Sequence, residues 1–376
     1  MRRLDFVEVP DDPCLFVHNS KPIMVFFYVD DIVLTSPEDL RQELYHIRDQ
    51  LMKSYEIREI GPLNHFLGAR VIRDRKARKL WLTQADYIEK ITKKFHLEHA
   101  TVTHVPLPME SIPKWDQQAS TNQITGYQQR VGSALWAAIF SRPDIARACS
   151  LLSEHNTNPS PQARRGIDQV LAYLNSTKNL AIEFCGGPFT DQPTGIIESN
   201  DIDQCLRVSS DAAYADDTTT RRSTQGMLIT LFNGPIAWQS TRQKTVTTST
   251  TEAELLALSH TAKELIALQR FLNDITFDPG HQVHIACDNK QTIGLMTKDH
   301  PQFTTKLKHV DIHRFWLRQE VREGHIHLEW TPTNSMSADG LTKILPRQQH
   351  EKFVKMLNLV DITDKLKQTI SNISNS

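Results

Sequence analysis

Two short apolar runs within the first forty positions are separated by an acidic pair. The first run, residues 23–28, is rich in β-forming side chains, and residues 32–34 resume the apolar pattern after Asp30 and Asp31. Two short apolar runs joined by so few polar residues are typical of a β-hairpin with a tight turn. The pattern therefore predicts a hairpin that carries two carboxylates at its tip.

A helical period follows the hairpin. Ser36 is the predicted N-cap, Pro37 the first helical residue, and Asp39 completes a capping box. Apolar residues then recur at helical spacing, at Leu40, Leu44, Ile47 and Leu51. Because this spacing places them on one face, it predicts an amphipathic helix that packs on a core.

From about residue 200 the pattern becomes an alternation of strands and helices. Apolar runs predict strands at 206–214, 225–232, 235–240, 283–287 and 326–330. Longer periodic stretches predict helices at 251–273, from 289, at 310–321 and from 336. Three successive strands followed by alternating helices and strands indicate a mixed five-stranded sheet flanked by helices.

Two polar stretches divide the chain. The first, residues 106–125, contains several prolines, and the second, residues 186–200, is rich in Gly, Pro, Thr and Asp. Residues 126–178, between them, have helical spacing. The predicted fold class is therefore α+β / α/β, divided into domains at 1–105, 106–190 and 200–347 and a polar tail at 348–376.

Composition and charge exclude several classes of protein. The chain of 376 residues is 39% hydrophobic and 23% charged, as expected for two or three globular domains. With 43 basic and 44 acidic residues, any contact with nucleic acid must come from a local basic patch. Residues 41–100 hold 13 basic and 8 acidic residues. The candidate phosphate contacts of this patch are Arg73, Lys76, Lys79, Lys93 and Lys94.

Cysteine spacing and hydropathy indicate where in the cell the protein is located. The five cysteines are odd in number and widely spaced, with no C-x-x-C pair. This favours reduced thiols over disulfides or a zinc site, and hence an intracellular protein. The apolar runs are shorter than the roughly 18 residues that span a bilayer, and the first residues lack a signal-peptide pattern. We expect no membrane partner.

Four acidic residues lie at the ends of predicted elements in the last domain. Asp211 lies in its first strand, Glu254 in the first turns of its long helix, Asp288 at the end of its fourth strand, and Asp339 at the start of its last helix. Each alone is commonly a turn former or a helix-dipole partner. Together they match the needs of two divalent cations that clamp a scissile phosphate, because hard cations bind carboxylates and water. Glu252 is an alternative to Glu254 as the helix carboxylate of this group. Residues two apart on a helix face different directions, so both cannot face the same site.

The segments around these carboxylates resemble the ribonuclease H domain of copia-type LTR retrotransposon polyproteins. They read SSDAAYA at 209–215, TEAELLAL at 251–258, CDN at 287–289 and ADGLTK at 338–343. The resemblance favours Glu254, which directly precedes an apolar, alanine-containing stretch. It implies cleavage of an RNA/DNA hybrid with two Mg²⁺ (or Mn²⁺) ions as cofactors. The implied catalytic and metal-binding residues are Asp211, Glu254, Asp288 and Asp339.

The acidic hairpin resembles the palm hairpin of reverse transcriptases, whose paired aspartates bind the polymerase metals. The implied remnant of that motif is Tyr28, Asp30 and Asp31. Further segments resemble the same polyproteins: DPCLFV at 12–17, IGPLNHFLG at 60–68, LTQADYI at 82–88, YQQRVGSAL at 127–135 and SRPDIA at 141–146. The resemblance implies part of a reverse transcriptase palm, a helical thumb- or connection-like module and a ribonuclease H-like domain.

The resemblance also implies what the hairpin lacks. Nucleotide transfer in this family needs a third aspartate and the fingers, which precede the hairpin, so we expect no polymerase activity from this chain alone. The missing polymerase portion or another Pol copy is an expected partner, in a cytoplasmic retroelement particle and in the nucleus. The alternative is an inert relic or a noncatalytic nucleic-acid-binding protein. The four intact nuclease carboxylates favour the nuclease.

Overall fold

The computed structural model describes residues 1–186, 206–280, 282–297 and 308–367. Two compact units are present: residues 1–64 with 263–280, and residues 65–262 with 281–376. Most of the predicted linker at 186–200 and the end of the predicted tail lie outside the described residues. No helix in the described ranges is long and apolar enough to cross a membrane.

The first unit contains a four-stranded antiparallel sheet. Its strands pair in chain order: β1 (Phe6–Val9), β2 (Asp12–His18), β3 (Met24–Tyr28) and β4 (Asp31–Thr35). The predicted hairpin is confirmed as β3 and β4, with Tyr28 opposite Asp31 across a two-residue turn. Val29, the first turn residue, has a φ of 53°, and a positive φ at this position is what the tight hairpin turns require.

The helix predicted after the hairpin is present, but its predicted start is wrong. Residues Glu38–Leu40 form a 3-10 turn, and α1 (Arg41–Ser54) begins after it. The Ser36 hydroxyl donates to the Pro37 carbonyl at 3.0 Å and so does not cap the helix. The apolar face is as predicted, because Ile47 and Leu51 are buried against the sheet.

The second unit contains an antiparallel sheet that joins distant parts of the chain. In spatial order its strands are β14 (Leu359–Asp361), β8 (Leu180–Cys185), β7 (Lys79–Thr83), β6 (Ala69–Asp74) and β5 (His65–Phe66). The helices of this region are α2 (Ala85–Lys94), α3 (Thr121–Phe140), α4 (Ala146–Ser153) and α5 (Pro161–Ser176). All four contribute to one apolar core, which confirms the helical pattern predicted for residues 126–178.

The predicted tail is wrong for its first residues. Helix α9 (Arg347–Met356) and strand β14 pack onto the second unit. Phe353 and Leu357 are buried in a cluster that includes Ile182 of β8. These side chains recur four residues apart on one helical face, and burial of that face outweighs the polar composition of the segment.

The second unit also contains the predicted mixed sheet. In chain order its strands are β9 (Leu206–Ala213), β10 (Thr224–Leu231), β11 (Gly234–Arg242), β12 (His284–Cys287) and β13 (His327–Trp330). The spatial order is β11-β10-β9-β12-β13, in which the first three are antiparallel and β12 is parallel to β9 and β13. The helices that alternate with them are α6 (Thr250–Asp274), α7 (Lys290–Thr297) and α8 (Lys308–Arg322), and the part of α6 from residue 263 onwards belongs to the first unit. The predicted five-stranded mixed sheet is confirmed.

Candidate metal centre

Three carboxylates meet beside the central strand of the mixed sheet. Because Ser209 of β9 pairs in parallel with Ala286 of β12, Asp211 and Asp288 each lie two residues beyond a paired position. They therefore come side by side at one edge of the sheet. Glu254, near the start of α6, completes the group, and oxygens of the three carboxylates all lie within 4.8 Å of one another.

Burial and mutual repulsion raise the pKa of two of these groups. Burial is the largest cause for Asp211, and it raises the pKa to about 6 against the opposing effects of Lys343 and a hydrogen bond from Thr342. Burial, followed by the charges of Asp211 and Asp288, raises the pKa of Glu254 to about 9. Carboxylates that destabilise one another in this way are stabilised by a bound cation.

The donor set fits a hard divalent cation. Glu254 is 6% exposed, and within the described ranges no donor reaches its Oε2 atom. A buried carboxylate oxygen without a partner is costly unless a cation binds it. Because all of the ligand atoms are oxygens, Asp211, Glu254 and Asp288 suit Mg²⁺ or Mn²⁺.

Asp339, the fourth predicted carboxylate, lies next to this group but outside it. It belongs to a 3-10 turn, Ser337–Leu341, which corrects the α-helix predicted from residue 336. Its carboxylate is ion-paired with the Lys343 ammonium, and its charge still acts on Asp211. The structure therefore brings three of the four residues within reach of one ion and holds the fourth beside a lysine.

A glycine on β10 lets the 3-10 turn approach the sheet. A Cβ atom added at Gly226 would lie 2.8 Å from Cγ2 of Thr342 and 2.9 Å from the carbonyl oxygen of Ala338. Because the turn lies this close to β10, the Thr342 hydroxyl can donate a hydrogen bond to Oδ2 of Asp211. The turn thus orients Asp211 directly.

Glu252 has a different environment from Glu254. Its Oε2 atom accepts hydrogen bonds from the backbone N–H of Thr248 at 2.6 Å and from the Thr248 hydroxyl at 2.8 Å. It therefore stabilises the start of α6. This leaves Glu254 as the carboxylate of α6 that lies with Asp211 and Asp288.

Residues on the edge strand β13 and after it contact Asp288, although no sequence motif points to them. The Thr333 hydroxyl donates to Oδ2 of Asp288 at 2.7 Å, and the Trp330 indole N–H donates to its backbone carbonyl at 3.0 Å. Trp330 is 44% exposed, and the Lys290 ammonium lies 3.9 Å from its ring centroid. Local sequence gave no signal for these residues, because their positions depend on the pairing of β12 with β13. Thr342 and Lys343 do lie in the ADGLTK segment, which could have drawn attention to them.

The hairpin residues lie in the first unit. Tyr28, Asp30 and Asp31 are exposed at the turn between β3 and β4. Across the described parts of the chain, neither aspartate belongs to a group of three possible metal ligands. Their role as polymerase ligands stays a prediction.

The predicted phosphate contacts lie in the second unit, and two of them have acidic partners. Lys79 is ion-paired with Glu183 at 3.0 Å, and Lys93 with Glu89 at 2.9 Å. The remaining candidates are Arg73, Lys76 and Lys94. Contact between these residues and nucleic acid stays a prediction.

Comparisons with known proteins extend over almost the whole chain. Residues 1–109 match the family described as reverse transcriptase (RNA-dependent DNA polymerase). The retrovirus-related Pol polyprotein from transposon TNT 1-94 of Nicotiana tabacum is 30% identical over 360 residues, which cover 93% of this chain and 26% of that protein. The corresponding polyprotein from transposon RE2 of Arabidopsis thaliana is 29% identical over 361 residues, 95% of this chain and 23% of that protein. The chain thus spans about a quarter of the length of these relatives.

A solved structure matches part of the chain more distantly. LC11-RNase H1 in complex with RNA/DNA hybrid aligns with 37% of this chain and 96% of its own chain, at 16% identity and a TM-score of 0.29.

Proposed function

The chain belongs to the copia-type family of retrotransposon Pol polyproteins, and we propose that its mixed-sheet region is a ribonuclease H-type endonuclease that cleaves the RNA strand of an RNA/DNA hybrid. The observation that carries this proposal is the meeting of Asp211, Glu254 and Asp288 at one edge of the sheet. These carboxylates would hold the Mg²⁺ or Mn²⁺ cofactor. A bound divalent cation would supply the Lewis acid for hydrolysis of the phosphodiester by water.

The chain's own residues fix the geometry of the carboxylates. Thr342 donates to Asp211 and Thr333 donates to Asp288, so each aspartate has one oriented oxygen. The pKa of Glu254, raised to about 9, means that this carboxyl group holds a proton at neutral pH in the metal-free chain. Binding of a cation would therefore release that proton.

Recognition of the hybrid is proposed to use the surface next to Asp288. Trp330 offers an exposed aromatic ring anchored by its hydrogen bond to the Asp288 backbone, and Lys290 adds a positive charge beside it. Aromatic side chains stack on bases or sugars, and ammonium groups pair with phosphates. Contacts to 2′-hydroxyl groups would select the RNA strand.

No polymerase reaction is proposed for the hairpin. Asp30 and Asp31 have no third acidic ligand nearby in the ranges that the structure covers. Metal-dependent nucleotide transfer would need a further carboxylate, which the rest of a Pol polyprotein or another Pol copy could supply. We also propose an intracellular location, because the four cysteines among the described residues are free thiols: Cys14, Cys149, Cys185 and Cys287.

Cleavage of a labelled RNA/DNA hybrid by the purified chain tests the proposal. We expect Mg²⁺-dependent cleavage of the RNA strand that is lost in Asp211→Asn and in Asp288→Asn. Asp364→Asn is the matched control, because the Asp364 side chain is 93% exposed and lies outside the metal centre. Absence of cleavage by a chain with folded circular dichroism and a cooperative melt would contradict the proposed nuclease.

A further inference from the structure

Lys343 places a positive charge inside the group of four predicted carboxylates. Its ammonium is ion-paired with Oδ1 of Asp339, one turn earlier in the chain. The charges of Asp211 and Asp288 also act on Lys343. The pKa of Glu254 is also lowered by the Lys343 charge, so this lysine interacts with all four residues that would share bound cations.

The backbone around Lys343 is held in place, so its position does not depend on the side chain alone. The Lys343 N–H donates to the Asp339 carbonyl at 3.1 Å, and the neighbouring Thr342 hydroxyl donates to Asp211. The close approach at Gly226 packs the same segment against β10. The ammonium is therefore anchored within reach of Asp339 and Asp211.

The four carboxylates divide into two unequal sets. Oxygens of Asp211, Glu254 and Asp288 lie within 4.8 Å of one another, so small side-chain movements would bring them to the spacing of ligands around one octahedral Mg²⁺, about 3 Å for adjacent ligands. Asp339 lies outside that set, and its carboxylate is paired with the Lys343 ammonium. A first ion would find three ligands ready, whereas a second ion using Asp339 would have to displace an ammonium.

We propose that Lys343 is a built-in competitor of the second divalent cation, so that the chain binds one ion tightly and a second ion much more weakly. This inference rests on the proposed metal-dependent function and specifies how its site is loaded. Like charges at such close range repel strongly in a partly buried site. Neutralising Lys343 should therefore strengthen the second binding step more than the first, because the ammonium is ion-paired with Asp339 and acts on Asp211, Glu254 and Asp288 only through its charge.

Counting bound Mn²⁺ tests this inference without any activity measurement. The full chain is titrated with Mn²⁺ while the free ion is followed by electron paramagnetic resonance. We expect two steps in the wild type, the second at least about tenfold weaker than the first. In Lys343→Met the gap should shrink by about tenfold or more, whereas Lys343→Arg, which keeps the charge, should preserve it.

Two further variants complete the experiment. Asp339→Asn should keep the tight step and lose the weak one, and Lys355→Met is the matched control, since Lys355 is an exposed lysine on α9. Two equal steps in the wild type, or an unchanged gap in Lys343→Met, would overturn the inference and leave the nuclease proposal standing. A wild-type chain that binds no Mn²⁺ would contradict the proposed metal centre and the inference together.

Discussion

Arg142 and Asp144, two residues apart in the chain, form a bidentate ion pair that is fully buried. The guanidinium donates from Nε to Oδ1 at 2.9 Å and from Nη2 to Oδ2 at 2.7 Å. The Tyr173 hydroxyl donates to the same carboxylate at 2.8 Å, and His350 of α9 contacts that hydroxyl at 2.9 Å. The network thus ties α9 to the helical module, far from the candidate metal centre in sequence.

Removal of the Asp144 charge should strongly destabilise the protein. In Asp144→Asn the buried Arg142 would lose its counter-ion, and such losses cost about 3–5 kcal/mol. The free energy of unfolding by urea measures the effect. Glu351→Gln is the control, because the Arg347–Glu351 ion pair lies on the exposed side of α9 and its loss should leave stability unchanged within error. Equal stabilities of the two variants would contradict the importance of the buried network.

The same network predicts a loss of stability in mild acid. Burial, opposed by the Asp144 charge, lowers the pKa of His350 below its usual 6.5. The unfolded chain then binds the proton more readily than the folded chain, so stability falls as the pH drops from about 6.5 towards the folded pKa. Thermal melts of the wild type and of His350→Gln between pH 7.5 and 5 isolate this contribution, because the raised pKa values of Asp211 and Glu254 act in the opposite direction in both proteins. The wild type should lose stability relative to His350→Gln as the pH falls, and a constant difference between the two proteins would contradict this origin.

Glu252 and Glu254 provide a matched pair of variants on one helix. Glu254→Gln should reduce hybrid cleavage by at least about 100-fold, because it removes a proposed metal ligand. It should also raise the stability of the metal-free chain near pH 8. The pKa of Glu254 is raised to about 9 in the folded chain, so this group lowers the folding stability as the pH rises above its pKa in the unfolded chain, 4.5. Glu252→Gln should keep the activity and lose about 0.5–2 kcal/mol of stability as a weakened helix cap. Loss of cleavage in Glu252→Gln with retained cleavage in Glu254→Gln would contradict the assignment of Glu254 as the metal ligand and Glu252 as the helix cap.

Metal binding should stabilise the folded chain. A ligand that binds only the folded state adds stability that grows with its concentration, by about 1.4 kcal/mol for each tenfold increase above Kd. We expect Mg²⁺ or Mn²⁺ to raise the melting temperature of the wild type, and a chelator to reverse the effect. Asp211→Asn should not respond. A wild-type melting temperature that ignores both ions would argue against the candidate metal centre.

The elements of the mixed sheet could be predicted because each strand is a short apolar run and each helix has its own period. The proximity of Asp211 and Asp288 depends on the parallel pairing of β9 with β12, and the resemblance supplied what local pattern does not. The pairing of β14 with β8 brings Leu359 opposite Ile182. Because these two residues are so far apart in the chain, local sequence carries no signal of their pairing, and the polar composition of residues 348–376 predicts a tail instead.

The metal centre could be predicted by residue type more easily than by arrangement. The ADGLTK segment groups Asp339 with the other carboxylates, and Lys343 lies in the same segment four residues later. Sequence alone does not decide whether the Asp339 carboxylate pairs with the Lys343 ammonium or binds a metal ion. That outcome depends on how closely the turn approaches β10, which Gly226 controls.

A methyl group at Gly226 therefore tests whether this close approach matters. In Gly226→Ala the new Cβ would lie within 3.0 Å of atoms in Thr342, Ala338 and Leu341, two of which are backbone or Cβ atoms that move only with the turn. Overpacking of this kind costs about 1–3 kcal/mol, and displacement of the turn would take Thr342 away from Asp211. We expect lower stability together with a weaker tight step in the Mn²⁺ titration. Gly132→Ala is the control, since nothing lies within 4 Å of its added Cβ on α3 and alanine favours the helix. If Gly226→Ala bound Mn²⁺ as the wild type does, the turn would not be what orients Asp211.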